Sequence, residues 1–498
     1  MANVYATKAG NWSDTTVWNT AALPTSADDV FANGFAVTIN QDITVVSIQT
    51  RSASGIAAGG SFTASTSRTI NASVLAGTST CLSLTGTSLT FTINATNISG
   101  ANSTTGSISA ISSTPTTSTI NITATNITGG SGSTATNAHG VNCAGTSNIY
   151  VINCTTINGG TSTGNNNYGI NFGMTAGTPS VTLTSTTING GLGASANVGV
   201  QFSNSVAMTY NVSGNVVAST GAYGMQFNTN ATTTVNLTGN VTGASGGTSI
   251  SGIQFSGTLC TLNVTGNVTG GSGGTSNYGI FNLSTNGIVN IIGDVTGGAG
   301  TTCNGVYNNT TGTITISGTT LSSTTSRGAE NNSTGTLRCK TIQASTAAIA
   351  LNGANSGGIT TFESAIFGTN GQSPFGGFCK LKTGTNNYIR CQLESGTKDL
   401  IDSANVANGL PATSDVRLGT SYNFGSSVGT LAVPLASQVS SGVAVDNTTG
   451  TAVITSAGVT SAVWGVAASS LTTSNSIGER AKNMATTQDV GNLITSLI

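Results

Sequence analysis

Three stretches decide how this chain folds: Val235-Asn-Leu-Thr-Gly-Asn-Val241, Leu262-Asn-Val-Thr-Gly-Asn-Val268 and Val289-Asn-Ile-Ile-Gly-Asp-Val295. They begin 27 residues apart, twice in succession. In each, apolar side chains alternate with Asn and Thr, which is the period of a strand and not of a helix. Looser copies lie upstream at Phe91-Thr-Ile-Asn-Ala-Thr-Asn-Ile98, Ile120-Asn-Ile-Thr-Ala-Thr-Asn-Ile127 and Val181-Thr-Leu-Thr-Ser-Thr-Thr-Ile188.

A second motif keeps step with the first. A glycine followed by alternating apolar residues recurs at Gly140, Gly169, Gly199, Gly224, Gly252, Gly279, Gly305 and Gly328, with spacings of 29, 30, 25, 28, 27, 26 and 23. A repeat this short holds two or three strands and cannot bury its own apolar face. Stacking copies solves the problem, each strand pairing with its equivalent one spacing of ~4.8 Å above. The predicted fold is all-β: a right-handed parallel β-helix, a solenoid with coils of about 23–30 residues, the hand being the usual one for parallel crossovers. Asn236, Asn263 and Asn290 are expected to form a stacked amide ladder. A propeller is disfavoured, because its blades need ~40–50 residues.

Composition agrees. Of 498 residues, 13 are Lys or Arg, 14 are Asp or Glu, and 68 are Gly. A net charge of −1 argues against a nucleic-acid partner bound through its phosphates. The apolar runs fall far short of the ~20 residues of a membrane-spanning helix, so no membrane insertion is expected. No secretory signal is visible at the N-terminus. The eight cysteines form no C-x-x-C pair and read as small buried hydrophobes in a reducing compartment. No cofactor is indicated.

Three regions are expected: a capping and anchoring module at 1–50, the solenoid at 51–365, and a β-rich module at 366–498 that ends in a short helix. Trp12 and Trp18 are expected to cover the open end of the first coil, since exposed strand edges must be blunted. Val490, Leu493, Ile494 and Leu497 stand at helical i, i+3, i+4, i+7 spacing. That helix either closes a trimer or docks on its own chain.

The two ends carry a resemblance. Gly10-Asn-Trp12-Ser-Asp14-Thr-Thr-Val-Trp18 precedes Leu23-Pro24-Thr25-Ser26-Ala27-Asp28-Asp29-Val30. Near the other end, Leu410-Pro411-Ala412-Thr413-Ser414-Asp415-Val416-Arg417-Leu418-Gly419 leads to Gly429-Thr-Leu-Ala-Val-Pro434 and then to Val443–Ala452 and Ser474–Arg480. The first stretch resembles the entry module of β-helical proteins of bacteriophage virions and some bacterial surface proteins; the second resembles the ends of phage tail-fibre, tailspike and related virion appendage proteins. The resemblance covers roughly the first 45 and last 100 residues; the solenoid matches in style alone. It implies a homotrimer made in the bacterial cytoplasm and carried on the virion. Its partners would be other virion proteins and a glycan of the host surface. The role implied is attachment by a tail fibre or spike, with a head fibre or capsid-decoration appendage as the alternative.

A polysaccharide-cleaving tailspike is the second alternative, so chemistry must be sought. Glycoside hydrolysis normally needs two carboxylates about 5–9.5 Å apart. Residues 69–293 contain no Asp, Glu, Lys or Arg; His139 is their one titratable side chain near neutrality. No carboxylate stands anywhere in 43–293, and the expectation is therefore a non-catalytic protein. The remaining candidates are Asp294, Glu330 and Glu363, each also readable as an ordinary loop carboxylate. Gly270-Gly-Ser272-Gly-Gly274 fits the nucleophile-elbow pattern but lacks the strand–turn–helix setting. Asp28 and Asp29 have the hard oxygen ligands calcium prefers, yet a solvated turn explains them as well, and no metal is expected. Tyr168, Tyr223 and Tyr278 each precede a repeat glycine, 55 residues apart. As an exposed stripe they would suit sugar stacking; the competing reading is an aromatic ladder that holds the turns.

Overall fold

In a computed structural model of the chain the alternating segments become parallel strands. The structure describes residues 2–343 apart from 55–59, 78–80, 101–107, 133–136, 164–165, 194–196, 230, 248, 301–302 and 322–327. Beyond these it describes short strands between 351 and 393, and residues 413–453 apart from 423–426, 433 and 446–447. Two compact units result, Met1–Leu410 and Pro411–Ile498.

The first unit is a β-solenoid. A long-strand sheet of 21 strands and a short-strand sheet of 15 run its length. The short sheet takes one strand per coil, from Gly10–Asn11 to Cys379–Lys380. Fourteen spacings of ~4.8 Å make that stack roughly 67 Å long. The repeat read from sequence is the repeat of the coils: Val235 pairs with Leu262 and Leu262 with Val289, in parallel register. Among the described residues the helical structure is confined to 3-10 turns at Thr15–Val17, Thr413–Asp415 and Ala436–Gln438.

Inward positions of the long sheet form an apolar column: Phe91, Ile120, Tyr150, Val181, Tyr210, Val235, Leu262 and Val289 are all essentially inaccessible. Each such side chain contributes about 1.5–3 kcal/mol when taken out of water, and it is the neighbouring coils that cover it. Outward positions carry the expected amide ladder. Asn236 Nδ2 donates to Asn211 Oδ1, Asn263 to Asn236 and Asn290 to Asn263, each at 2.9 Å.

The short-sheet column changes character along the axis. Phe172, Phe202, Phe227 and Phe255 stack at centroid distances of 5.5, 4.5 and 4.7 Å. The same position then becomes Asn282, Asn308 and Asn331, all fully buried. Buried amides need partners. Here they supply one another: Asn282 Nδ2 donates to Asn308 Oδ1 at 2.7 Å, and Asn308 Nδ2 to Asn331 Oδ1 at 3.0 Å.

The glycine of the Gly-Asn-Val motif has a specific task. Gly266 sits at φ +147, where a Cβ would lie 2.1 Å from the carbonyl oxygen of Gly239 in the preceding coil. The long strand divides there into Cys260–Thr265 and Val268–Thr269. Thr119–Thr128, without that glycine, is one unbroken strand, and so is Met208–Val217, which carries the equivalent Gly214 at φ +142.

The boundary expected at residue 50 is no break in pairing. Strands Asn3–Tyr5, Asp29–Phe31 and Ile43–Gln49 belong to the long sheet, and the last pairs directly with Arg68–Ala76. Residues 1–50 thus pair into the solenoid as its first coils. The boundary expected at 365 is likewise crossed by paired strands, Gly358–Glu363 with Gly384–Ile389, and the division between units falls after Leu410.

The first edge is covered by its own sequence. Asp14 starts the Thr15–Val17 turn by accepting from Thr16 N at 2.9 Å. The chain then runs back along the first strand, with Thr7 N donating to Val17 O and Tyr5 N to the Asn19 side chain. Trp12 and Trp18 are buried beneath, edge to face at 4.9 Å, with Trp18 Nε1 donating to Trp12 O.

The second unit contains a repeat that the sequence analysis did not resolve. Its described part is one hairpin motif used twice. Arg417 bridges to Leu431, and Ser440 to Ala452. Leu418 N bonds to Leu431 O and Gly419 N to Gly429 O; Ser441 N and Gly442 N repeat this with Ala452 O and Gly450 O. Gly419 and Gly442 share the left-handed conformation, φ +82 and +88.

Candidate functional site

The three candidate carboxylates stand in three different coils. Asp294 is the last rung of a second outward ladder. Asn240 N donates to Asn215 Oδ1, Asn267 N to Asn240 Oδ1, Asp294 N to Asn267 Oδ1, and Thr319 N to Asp294 Oδ1 at 2.7 Å. A carboxylate oxygen here does what an asparagine oxygen does one coil earlier. Glu330 is buried in the short sheet, on strand Ala329–Asn331, and accepts from Asn304 Nδ2 at 2.9 Å. Glu363 ends strand Gly358–Glu363 of the long sheet. Asp294 and Glu363 lie three coils apart, roughly 14 Å along the axis. That exceeds the spacing of a glycosidase pair, and Glu330 lies on the other sheet.

The tyrosines do not form one exposed stripe. Tyr278 is buried, contrary to the expectation of exposure, and stacks on Tyr307 at 5.1 Å. Tyr168 is half-buried and lies flat on His139 at 4.8 Å, and His139 Nδ1 accepts from Tyr168 N. Tyr223 is half-buried. Val198 and Ser251 occupy the intervening coils, so the three rings stand about two spacings, roughly 9.6 Å, apart and do not stack on one another.

Burial of His139 holds its imidazole down to about 4, so it is neutral at physiological pH. Burial also pushes thiols up, Cys339 to about 12 and Cys154 to about 11, which leaves them protonated and unreactive. Cys81, Cys143, Cys154, Cys260 and Cys339 form no disulfide. Ser272 of the Gly-Gly-Ser-Gly-Gly stretch sits in a bridging turn between Ser245 and Ala299, not on an elbow before a helix. Asp28 is used by its own turn, accepting from Thr25 N and Thr25 Oγ1, which holds its carboxyl below the usual range. Among the described residues no three His, Cys, Asp or Glu side chains gather as a metal site. Val490, Leu493, Ile494 and Leu497 lie outside the described residues.

One concave site was not anticipated. A cleft of about 800 Å³ runs along the corner where the long strands end, from Asp29 to Thr161. At one end four side chains form a connected chain. Ser47 Oγ donates to Asp29 Oδ1 at 2.5 Å, Gln49 Nε2 to Ser47 Oγ at 2.8 Å, and Arg51 Nε to Gln49 Oε1 at 2.5 Å. The Arg51 guanidinium lies 5.8 Å from the Phe31 ring centroid. The signal available in sequence was the isolated pair of charges, Asp29 and Arg51, in a chain with so few.

No protein-family model, no curated protein and no solved structure matches this chain. The fold established by its own coordinates is a β-solenoid.

Proposed function

We propose that this chain is a structural, non-catalytic appendage of a bacteriophage particle, a tail fibre or spike that meets host-surface glycan and works as a homotrimer. The observation that carries the non-catalytic part is the placement of Asp294, Glu330 and Glu363. Two of them, Asp294 and Glu330, are engaged in hydrogen bonds within the coils, and Asp294 stands three coils from Glu363. A rigid stack of self-paired coils suits a spacer that projects a binding surface. The resemblance at the two ends supplies the virion setting.

Self-association is favoured by the second unit. Leu418, Val428, Leu431, Leu435, Val443 and Val453 are all exposed there. A two-stranded hairpin is marginal in water without an apolar face to pack against, and further copies of the chain would supply that face. Sedimentation equilibrium tests this: a trimer is expected, and a monomer at micromolar concentration would refute it.

Immunogold electron microscopy of native particles tests the setting. Label on the tail or its fibres is the expected result. Label spread over the capsid would move the protein to decoration or a head fibre, and no label on any particle would sink the virion reading. For catalysis, Asp294→Asn, Glu330→Gln and Glu363→Gln together are expected to leave glycan capture intact. Release of reducing ends by the wild type, abolished by these changes, would establish the cleaving alternative.

A further inference from the structure

The cleft at the first coils has the shape and polarity of a binding site. Its volume falls within the 300–1,000 Å³ common for ligand pockets. It crosses five strand spacings, from the coil of Asp29 to that of Asn158, roughly 24 Å. An elongated ligand fits this form better than a compact one. Along the floor the backbone of Gly100, Gly129 and Gly160 lines the cleft, a Cβ at each being barred by backbone of the solenoid itself, and Ser99, Thr128, Ser131 and Thr161 add side chains at intervals.

The floor's own backbone is occupied. Gly77 N, Gly100 N and Gly129 N donate to Ser99 O, Thr128 O and Asn158 O. A peptide seeking unpaired strand groups therefore gains little here, whereas a ligand rich in hydroxyls can use the acceptor side of Ser99 Oγ, which donates to Leu75 O, and the O–H of Thr128, whose oxygen accepts from Asn158 Nδ2. Ser47 and Gln49 are nine-tenths buried and hold the two charged ends of the polar chain in place. Among the described residues Asp29 Oδ2 and the two Nη groups of Arg51 carry no hydrogen bond. Arg51 is exposed, and its planar fork matches a carboxylate. Asp29 Oδ2 is an acceptor suited to sugar hydroxyls.

We infer that this cleft binds an acidic oligosaccharide lying along the solenoid axis, its carboxylate on Arg51 and its hydroxyls on Asp29 and the Ser/Thr rim. This rests on the reading of the protein as a glycan-attaching appendage and names the place and the charge of the glycan.

The test is a printed array of bacterial-surface oligosaccharides, neutral and uronic-acid-bearing, probed with the full chain. Arg51→Gln removes the fork, and Thr128→Tyr fills the groove without touching the polar chain. Circular dichroism and melting curves verify that both variants fold. The wild type is expected to bind acid-bearing members and to lose affinity as salt is raised. Each variant is expected to bind at least tenfold more weakly. Capture of neutral glycans alone, or undiminished binding by both folded variants, overturns the cleft while leaving attachment by another surface intact. If the wild type captures no array member the inference also fails, and adsorption of the same protein to host cells then decides separately whether the attachment reading stands.

Discussion

Replacing Asn308 by Leu probes the switch from an aromatic column to an amide column. Asn308 accepts from Asn282 Nδ2 at 2.7 Å and donates to Asn331 Oδ1 at 3.0 Å and Gly312 O at 3.3 Å. Three lost bonds at about 0.5–1.5 kcal/mol each come to about 1.5–4.5 kcal/mol. The Asn282 amide loses its best acceptor inside the core, which adds about 1–3 kcal/mol. Burying a leucine offsets about 1.5–3 kcal/mol of this. At the middle of each range the net local destabilisation is about 3 kcal/mol, or a fall of roughly 100-fold in amide protection at 1.4 kcal/mol per factor of ten. Coils of a solenoid couple mainly to their neighbours. Hydrogen exchange read by mass spectrometry should therefore show the loss in strands Ile280–Asn282, Val306–Asn308 and Ala329–Asn331. Protection around Ile170–Phe172, five coils from the substitution, should stay unchanged. Unaltered exchange in the three strands would refute the view that the amide ladder is what allows polar side chains in this core.

Two other predictions concern buried titratable or polar groups. His139 is held down to about 4 from an ordinary value of 6.5, so the unfolded chain binds its proton first as pH falls. Stability from this group is fully present above pH 6.5 and is lost between 6.5 and 4, by about 3 kcal/mol in all; denaturant melts at pH 7 and pH 4 should differ by that amount more in the wild type than in folded His139→Phe. Tyr210 and Tyr150 occupy one column with opposite hydroxyl environments: Tyr150 donates to Ala144 O at 2.8 Å, while Tyr210 Oη is buried with no partner. Tyr150→Phe should cost about 1 kcal/mol, whereas Tyr210→Phe should be neutral or stabilising by up to about 1 kcal/mol, and equal thermal shifts for the two would contradict the assignment.

The solenoid was legible because its signal is periodic. The copies at Val235, Leu262 and Val289 carry strand, register and ladder at once, and the structure reproduces each. Ends and sites lack that redundancy. The Trp12–Trp18 cap was inferred from the need to cover an edge, yet its strands proved to be ordinary first coils. The tyrosines misled because the motif shows which residue precedes each glycine but not how far the wall closes over it. The paired hairpins of the second unit share six scattered identities: Pro411 and Pro434, Ser414 and Ser437, Val416 and Val439, Gly419 and Gly442, Gly429 and Gly450, and Thr430 and Thr451. Their common backbone bonds are what reveal the repeat. The cleft was hidden for a related reason: Ser47 and Gln49 look like any outward polar pair until register sets them beside Asp29 and Phe31.

The near absence of charge follows from the same stacking. In a solenoid of similar coils each side chain meets its own equivalent about 4.8 Å away. Asparagine, threonine and aromatic rings satisfy themselves in such a column, but a repeated charge repels itself. Two like charges at that distance cost about 1 kcal/mol in bulk water and about 3–4 kcal/mol at an effective dielectric of 20. The penalty accumulates with every added rung. Asp294 is tolerated because it ends its ladder, with Asn267 before it and Thr319 after it. Asn267→Asp would put a second carboxylate directly beside it. Two neighbouring carboxylates repel only when both are charged, so the cost is absent in acid, where carboxylates are neutral, and grows as pH rises. The variant should melt like the wild type at pH 3.5 and about 0.5–1 kcal/mol less stably at pH 7, with the difference shrinking in high salt because these side chains are exposed. A variant as stable as the wild type at pH 7 and low salt would mean that ladder charges are screened even at contact, and self-repulsion would no longer account for a 225-residue stretch, 69–293, with no acidic or basic side chain other than His139.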